Sequence, residues 1–263
     1  MRVTVCQLRE EPEALEEDWA GLVDHVAAEA SDLVLLPEMP FHPWLAASRE
    51  SDGAAWTAAV EAHERWTGRF GELGGAVVAG SRPVARGGLR RNEGCLWEAE
   101  RGVRPVHHKR YLPDEPGFWE ASWYGPGDGG FGVATLPMGG DASGERVRAG
   151  FLICTDLWFS EHALAMGRAG AQLLLAPRAT PAGGLEKWLV GGRAAAVRAG
   201  AWCLSSNRAG PGRVHPWGWG GWVVEPEDGE VVAVTTDEEP FVTREIDPGA
   251  ADAARETYPR YVR

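Results

Sequence analysis

The stretch Leu33-Val34-Leu35-Leu36-Pro37-Glu38 is apolar at every position until it stops at a carboxylate. A strand with one wet face alternates apolar and polar side chains, so a strand apolar throughout needs cover on both faces. The same holds for Ala76 to Gly80, for the end of a strand running from Val147 to Cys154, and for Gln172 to Pro177. Segments with helical spacing lie between such runs. Pro12 to Ala30 sets Leu15, Trp19, Leu22, Val23 and Val26 on one face, and further helices are expected over Gly53 to Phe70, Ser160 to Ala171 with Ser160 as its cap, and Leu185 to Ala199. Val3 to Leu8, Asn92 to Glu98, Val103 to His108, Phe131 to Leu136, Trp202 to Ser206, Trp222 to Glu225, Glu230 to Val234 and Phe241 to Ile246 read as strands, with turns at 86–91 and 139–144 and a polar C-terminal tail. This alternation predicts an α/β fold with helices on the sheet faces. No repeat or linker interrupts the 263 residues, so 1–263 is expected to be a single domain.

A net charge of −12 argues against nucleic acid or an anionic membrane surface as the main partner and suits a soluble cytoplasmic protein. No apolar run is long enough to span a bilayer, and the N-terminus reads as a strand rather than a signal peptide, since Glu10 and Glu11 follow at once. Cys6, Cys95, Cys154 and Cys203 form no C-x-x-C pair, so neither a zinc site nor a disulfide framework is supported.

Three apolar strands end in reactive side chains: Glu38, Lys109 and Cys154. Sites in α/β sheets gather beyond the carboxyl ends of strands, so these three can converge. A cysteine at a strand-to-helix turn sits where backbone N–H groups favour a thiolate and a developing oxyanion. Glu38 can take the thiol proton, deliver it to a leaving amine and later activate water. Lys109 supplies fixed positive charge, assisted by the N–H of Thr155. Taken singly, each has a plainer alternative: a core cysteine, a solvated strand end, a surface lysine. His107 and His108 invite a cysteine–histidine dyad, but packing of a strand beside Lys109 also explains them. The loop from Arg110 to Gly130, about twenty residues without a clear period, is of a length that is usually functional.

In order along the chain, Leu35-Leu36-Pro37-Glu38, His108-Lys109-Arg110-Tyr111-Leu112-Pro113-Asp114 and Gly150-Phe151-Leu152-Ile153-Cys154-Thr155-Asp156 resemble the glutamate, lysine and nucleophile motifs of the nitrilase, or carbon–nitrogen hydrolase, superfamily. The resemblance covers almost the whole chain. It implies a four-layer α-β-β-α sandwich, no metal or organic cofactor, and a homodimer or higher homo-oligomer built through helices. Pro113 to Glu120 and Gly125-Pro126-Gly127-Asp128 resemble the loop of N-carbamoylputrescine and N-carbamoyl amino acid amidases, which makes Glu120, with Glu115 as competitor, the second glutamate that holds Lys109 and the substrate amide. Two departures stand out: Ser160, where many relatives have Pro, and Arg198-Ala199, where many have a Glu-Asn pair.

The expected chemistry is attack of Cys154 on a carboxamide or N-carbamoyl carbon, loss of ammonia, and hydrolysis of the thioester by water activated by Glu38. A nitrilase, an amide-forming acyltransferase and a non-catalytic binding module are the alternatives. Thr155, Asp156, Trp158, Arg178 and Trp119 are the expected substrate contacts. Arg178 follows an apolar strand and can grip a substrate carboxylate, or else pair with a structural acid such as Glu161 or Asp156. Trp44, Trp123, Trp217 and Trp219 are the further candidates for aromatic walls.

Overall fold

A computed structural model describes residues 1–137, 146–218 and 220–262. The strands are β1 (Arg2–Arg9), β2 (Leu33–Leu35), β3 (Val77–Arg86), β4 (Leu89–Glu98), β5 (Gly102–His108), β6 (Val133–Pro137), β7 (Arg146–Phe151), β8 (Leu173–Pro177), β9 (Trp202–Ala209), β10 (Trp222–Val224), β11 (Val231–Val234) and β12 (Phe241–Glu245). The helices are α1 (Pro12–Glu29), α2 (Gly53–Thr67), α3 (Glu120–Trp123), α4 (Ser160–Arg168), α5 (Leu185–Ala199) and α6 (Pro248–Ala254).

The strands run β5-β4-β3-β2-β1-β9-β8-β7-β6, with β12 on β1 and β10-β11 on β9. Strand β1 joins two halves of this surface. Val3 to Val5 pair with β2 and β12, whereas Gln7 to Arg9 pair with Asn207 to Ala209 of β9. Strands β2, β1, β9, β8 and β7 are mutually parallel, β3 is parallel to β2, and two antiparallel steps make β5 parallel to β3. The residues that follow β2, β5, β7, β8 and β9 therefore leave the sheet at one end. This is how segments distant in sequence deliver Glu38, Lys109 and Cys154 to one place.

The period of two sorts side chains into layers. Val3, Val5, Leu33 and Leu35 face Val147, Ala149, Phe151, Leu173 and Leu175 in a core between the sheets. The intervening Cys6, Leu8, Val34 and Leu36 pack under Leu15, Trp19, Leu22 and Val26 of α1. Leu174, Ala176 and Cys203 pack under Ala163 and Met166 of α4 and Ala195, Ala196 and Ala199 of α5. The result is the expected four-layer α-β-β-α sandwich. Gly150 is what lets α4 lie so close: a Cβ there would come within 2.3 Å of Met166 Sδ.

Several boundaries differ from the sequence expectation. Strand β2 closes at Leu35, and the chain to Glu38 has already left the ladder. The C-terminal tail contains α6, started by Asp247 capping the Gly249 N–H and by Pro248 in the first turn. Ser160 is the first residue of α4 and makes no side-chain cap; its hydroxyl accepts from Arg198 Nη1 at 2.8 Å, so the two departures from the family pattern contact one another. The turn expected over 139–144 and Trp219 lie outside the described residues.

Candidate active site

Strand β7 ends at Phe151, and Leu152 and Ile153 lead into a 3-10 turn over Cys154–Trp158. Cys154 has φ +48°, the left-handed region that an L side chain enters at a cost of about 1 kcal/mol. Its thiol is buried, with Sγ 4.0 Å from the Ala179 carbonyl. A second left-handed residue, Met39 at φ +43°, follows Glu38. The left-handed backbone at Met39 is held by surrounding contacts. Arg208, at the end of β9, donates Nε to the Glu38 carbonyl at 3.1 Å and Nη2 to the Met39 carbonyl, and its Nη1 pairs with buried Glu10 at 2.6 Å.

Lys109 follows β5, and its backbone N–H donates to the Asn92 carbonyl at 2.9 Å. Its ammonium lies between two carboxylates, 2.8 Å from Glu38 Oε1 and 2.6 Å from Glu120 Oε2. The buried Asn92 amide also donates to Glu38 Oε1, at 2.7 Å, and Tyr124 O–H donates to Glu120 Oε2. Glu38 Oε2 is buried without a partner among the described residues. Glu120 opens the short helix α3, whereas Glu115 is exposed on the loop before it.

The charges in this enclosed group act on one another. Burial opposes the Lys109 ammonium, but Glu120 and Glu38 outweigh it and hold its pKa above the ordinary lysine value. Burial, then the Glu38 charge, raises Glu120 despite Lys109. Burial raises the Cys154 thiol, Glu38 adds to this, and Lys109 opposes it. The shifts favour a neutral Cys154 thiol beside a Lys109 ammonium, and Glu38 Oε2 is left without a partner among the described residues. Such a group can carry out nucleophilic attack with proton transfer to that oxygen.

The remaining candidates divide. Thr155 follows Cys154 in the same turn and is half-buried. Asp156 is engaged by the scaffold: Oδ1 accepts the backbone N–H groups of Arg110 and Tyr111 at 3.1 and 3.0 Å, and Oδ2 lies 2.9 Å from His107 Nε2. His107 is thereby paired with Asp156 and not with the thiol. Arg178 is likewise turned into the scaffold. It is fully buried, donating Nε to Ser205 Oγ at 2.7 Å, Nη1 to Thr180 Oγ1 at 2.8 Å and Nη2 to the Gly220 carbonyl, with its guanidinium 3.9 Å from the Trp222 ring. Its donors are turned to neutral oxygens of the scaffold, and among the described residues it pairs with neither Glu161 nor Asp156. Trp158 is partly exposed against Trp188, at 5.1 Å between ring centroids, and Trp119 is half-buried with Arg49 over its ring. Trp44, Trp123 and Trp217 are buried in one cluster with Met39, Tyr124 and Ala179, so they back the site as packing.

Sequence reasoning passed over Asn92, Tyr124, Arg208 and Glu10. Asn92 lies beside Arg90, Arg91 and Glu93 in β4 and Arg208 follows Ser205, Ser206 and Asn207 in β9, so neither stands out from its neighbours. Among the described residues no group of three or more His, Cys, Asp or Glu side chains is disposed to hold a metal ion. No described helix is long and apolar enough to cross a membrane.

The family model for carbon-nitrogen hydrolases matches residues 2–256. An N-carbamoylputrescine amidase of Arabidopsis thaliana is 36% identical over 74 residues, 28% of this chain and 22% of its own length, so the alignment spans about a fifth of that relative. A carbon-nitrogen hydrolase structure from Helicobacter pylori G27 superposes with TM-score 0.84 at 23% identity, over 99% of this chain and 94% of that one. A glutamate-to-glutamine mutant of the amidase from Nesterenkonia sp. AN1, with acrylamide added to its active-site cysteine, gives TM-score 0.76 at 20% identity over 97% of both chains.

Proposed function

The chain belongs to the carbon–nitrogen hydrolase family, and from that premise we propose that it is a cysteine amidohydrolase that cleaves a carboxamide or N-carbamoyl group and releases ammonia. The observation that carries the reading is the Lys109 ammonium held between Glu38 and Glu120 beside a buried, left-handed Cys154. Packing alone has no use for two carboxylates, an ammonium and a thiol at the same end of a sheet, because unpaired buried charge is costly.

In this mechanism Cys154 Sγ attacks the carbonyl carbon while its proton passes to Glu38 Oε2. The developing oxyanion meets the Lys109 ammonium and the Thr155 N–H. Glu38 returns the proton to the departing nitrogen, ammonia leaves and a thioester remains. A water molecule, deprotonated by Glu38, attacks the thioester, and the acid and the thiol are regenerated. A carbamoyl substrate then loses carbon dioxide. Glu120 orients the substrate nitrogen and keeps the Lys109 ammonium in place. The N-carbamoylputrescine amidase named above supports the carbamoyl branch of this reading. We read 1–263 as one catalytic domain, in keeping with a sheet that draws strands from both ends of the chain, and propose that it works as a cytoplasmic homo-oligomer.

Ammonia release across primary amides, ureido compounds and nitriles, with Cys154→Ala as control, tests the proposal. Release from amides or ureido compounds that disappears in the variant is the expected result. Release from nitriles alone, or full activity of the variant, would overturn it.

A further inference from the structure

Glu38 has two oxygens in different circumstances. Oε1 accepts from both Asn92 Nδ2, at 2.7 Å, and Lys109 Nζ, at 2.8 Å. Oε2 is fully enclosed and accepts from nothing in the described residues. A carboxylate held by a single donor can turn about its terminal torsion and exchange its oxygens; two donors converging on one oxygen from different strands prevent that.

Asn92 is placed for this task by more than its side chain. It lies on β4, paired with Pro83 of β3, and its carbonyl accepts the backbone N–H of Lys109 at 2.9 Å. One residue therefore holds the base through its amide and the lysine through its backbone. Its residue type also fits. An aspartate would set another negative charge beside Glu38 and Glu120 and lose the donor, and an aliphatic residue would leave Oε1 to Lys109 alone. Among the described residues the Asn92 Oδ1 atom is itself buried without a partner, which carries a desolvation cost.

We propose that Asn92 is a positioning residue that pins Glu38 by Oε1 and so commits Oε2 to the proton of Cys154. The inference rests on the reading of Glu38 as the base. Glu38 faces Lys109 from the end of β5, Glu120 and Tyr124 from α3 and its C-terminal end, Cys154 from the turn after β7, Arg178 from the end of β8, and the Arg208 guanidinium behind its backbone.

Iodoacetamide, which resembles a small primary amide, separates the two ideas. Alkylation forms the Cys154 S–C bond, expels iodide with the electron pair and transfers the thiol proton to the base, so its rate reports that transfer without any knowledge of the natural substrate. The rate of Cys154 modification would be followed by mass spectrometry from pH 5.5 to 9 in the wild type, Glu38→Gln, Asn92→Ala and Asn92→Asp. Glu38→Gln is expected to slow modification at pH 7 at least thirtyfold, and Asn92→Ala and Asn92→Asp at least tenfold, with the half-maximal rate moved to higher pH. No modification of wild-type Cys154, or no effect of Glu38→Gln, overturns the reading on which the inference rests. A slow Glu38→Gln beside an Asn92→Ala within threefold of wild type and with an unmoved pH profile overturns the role of Asn92 alone. If Asn92→Ala does not fold, Asn92→Asp, nearly the same size, decides on the same two criteria.

Discussion

The carboxylate of Asp156, two residues beyond Cys154, accepts the backbone N–H of Tyr111, two residues beyond Lys109. The nucleophile turn and the lysine segment are thus tied together independently of the charged group they carry. Because Asp156 also accepts from Arg110 N–H and meets His107, removing it leaves buried donors unsatisfied. Asp156→Ala should cost about 3 kcal/mol of stability and most of kcat. Asp156→Asn retains a carbonyl acceptor for the two N–H groups and can donate to His107, so a loss of only about 1 kcal/mol is expected. Thermal unfolding and steady-state kinetics on both variants check this. A large rise in KM for Asp156→Asn would return the residue to the substrate contacts.

Cys154→Ala should abolish turnover while unfolding within about 1 kcal/mol of the wild type, since the sulfur's one hydrogen bond among the described residues is a long one to Ala179 and alanine meets the same left-handed strain. Cys6, Cys95 and Cys203 are buried in β1, β4 and β9, and burial raises the pKa of each. Alanine at any of these three should leave kcat/KM within about twofold, as measured on the purified variants.

The strand before Glu38 was legible because a doubly covered strand is apolar throughout and a polar residue beyond its end stands out, whereas β5 and β7 carry Arg104, His107, Arg146 and Arg148, so Lys109 and Cys154 stood out by the motifs around them. The layers followed from alternation of those strands with amphipathic helices such as α1. What the sequence hides is the destination of a polar side chain. Arg178 and Asp156 follow strand or turn signals much like those of Lys109. Only the fold shows that Ser205, Thr180 and Gly220 surround the arginine, and that Arg110 and Tyr111 meet the aspartate. Asn92 was hidden for the same reason, its partner Glu38 being 54 residues away.

Glu38, Glu120 and Glu115 should separate by mutation to glutamine. Glu38→Gln removes the base and should lower kcat at least 1,000-fold, in the range of general-base contributions (about 10² to 10⁴). Glu120→Gln keeps the shape but weakens the hold on Lys109 and should lower kcat about 100-fold. Glu115 is exposed, so Glu115→Gln should be near wild type. Loss of activity in Glu115→Gln with a normal Glu120→Gln would reverse the assignment.

Arg178→Met should act on stability rather than on substrate charge. The change leaves the Gly220 carbonyl without its donor and forfeits the stack on Trp222, and a loss of about 3 kcal/mol is expected. Any fall in kcat/KM should be equal for an anionic ureido acid and its neutral ester. A selective rise in KM for the anion would restore Arg178 as a carboxylate clamp.

His63, buried in α2, gives the fold an acid limit. Its Nδ1 lies 2.8 Å from the Ala59 carbonyl, and its Nε2 accepts the Phe41 N–H at 3.3 Å, so the ring must be neutral with the proton on Nδ1. Burial lowers its pKa from 6.5 to about 3. The unfolded chain therefore takes up a proton below about pH 6.5 that the folded chain refuses. The stability associated with His63 is full above that pH and is lost progressively as pH falls towards 3. With a slope of about 1.4 kcal/mol per pH unit, the loss between pH 6.5 and pH 5 is about 2 kcal/mol. His63→Gln offers an acceptor and a donor without titrating. Urea unfolding at pH 7 and pH 5 should show the wild type losing about 2 kcal/mol more than the variant over that interval. Equal losses in the two proteins would place the acid sensitivity on other groups.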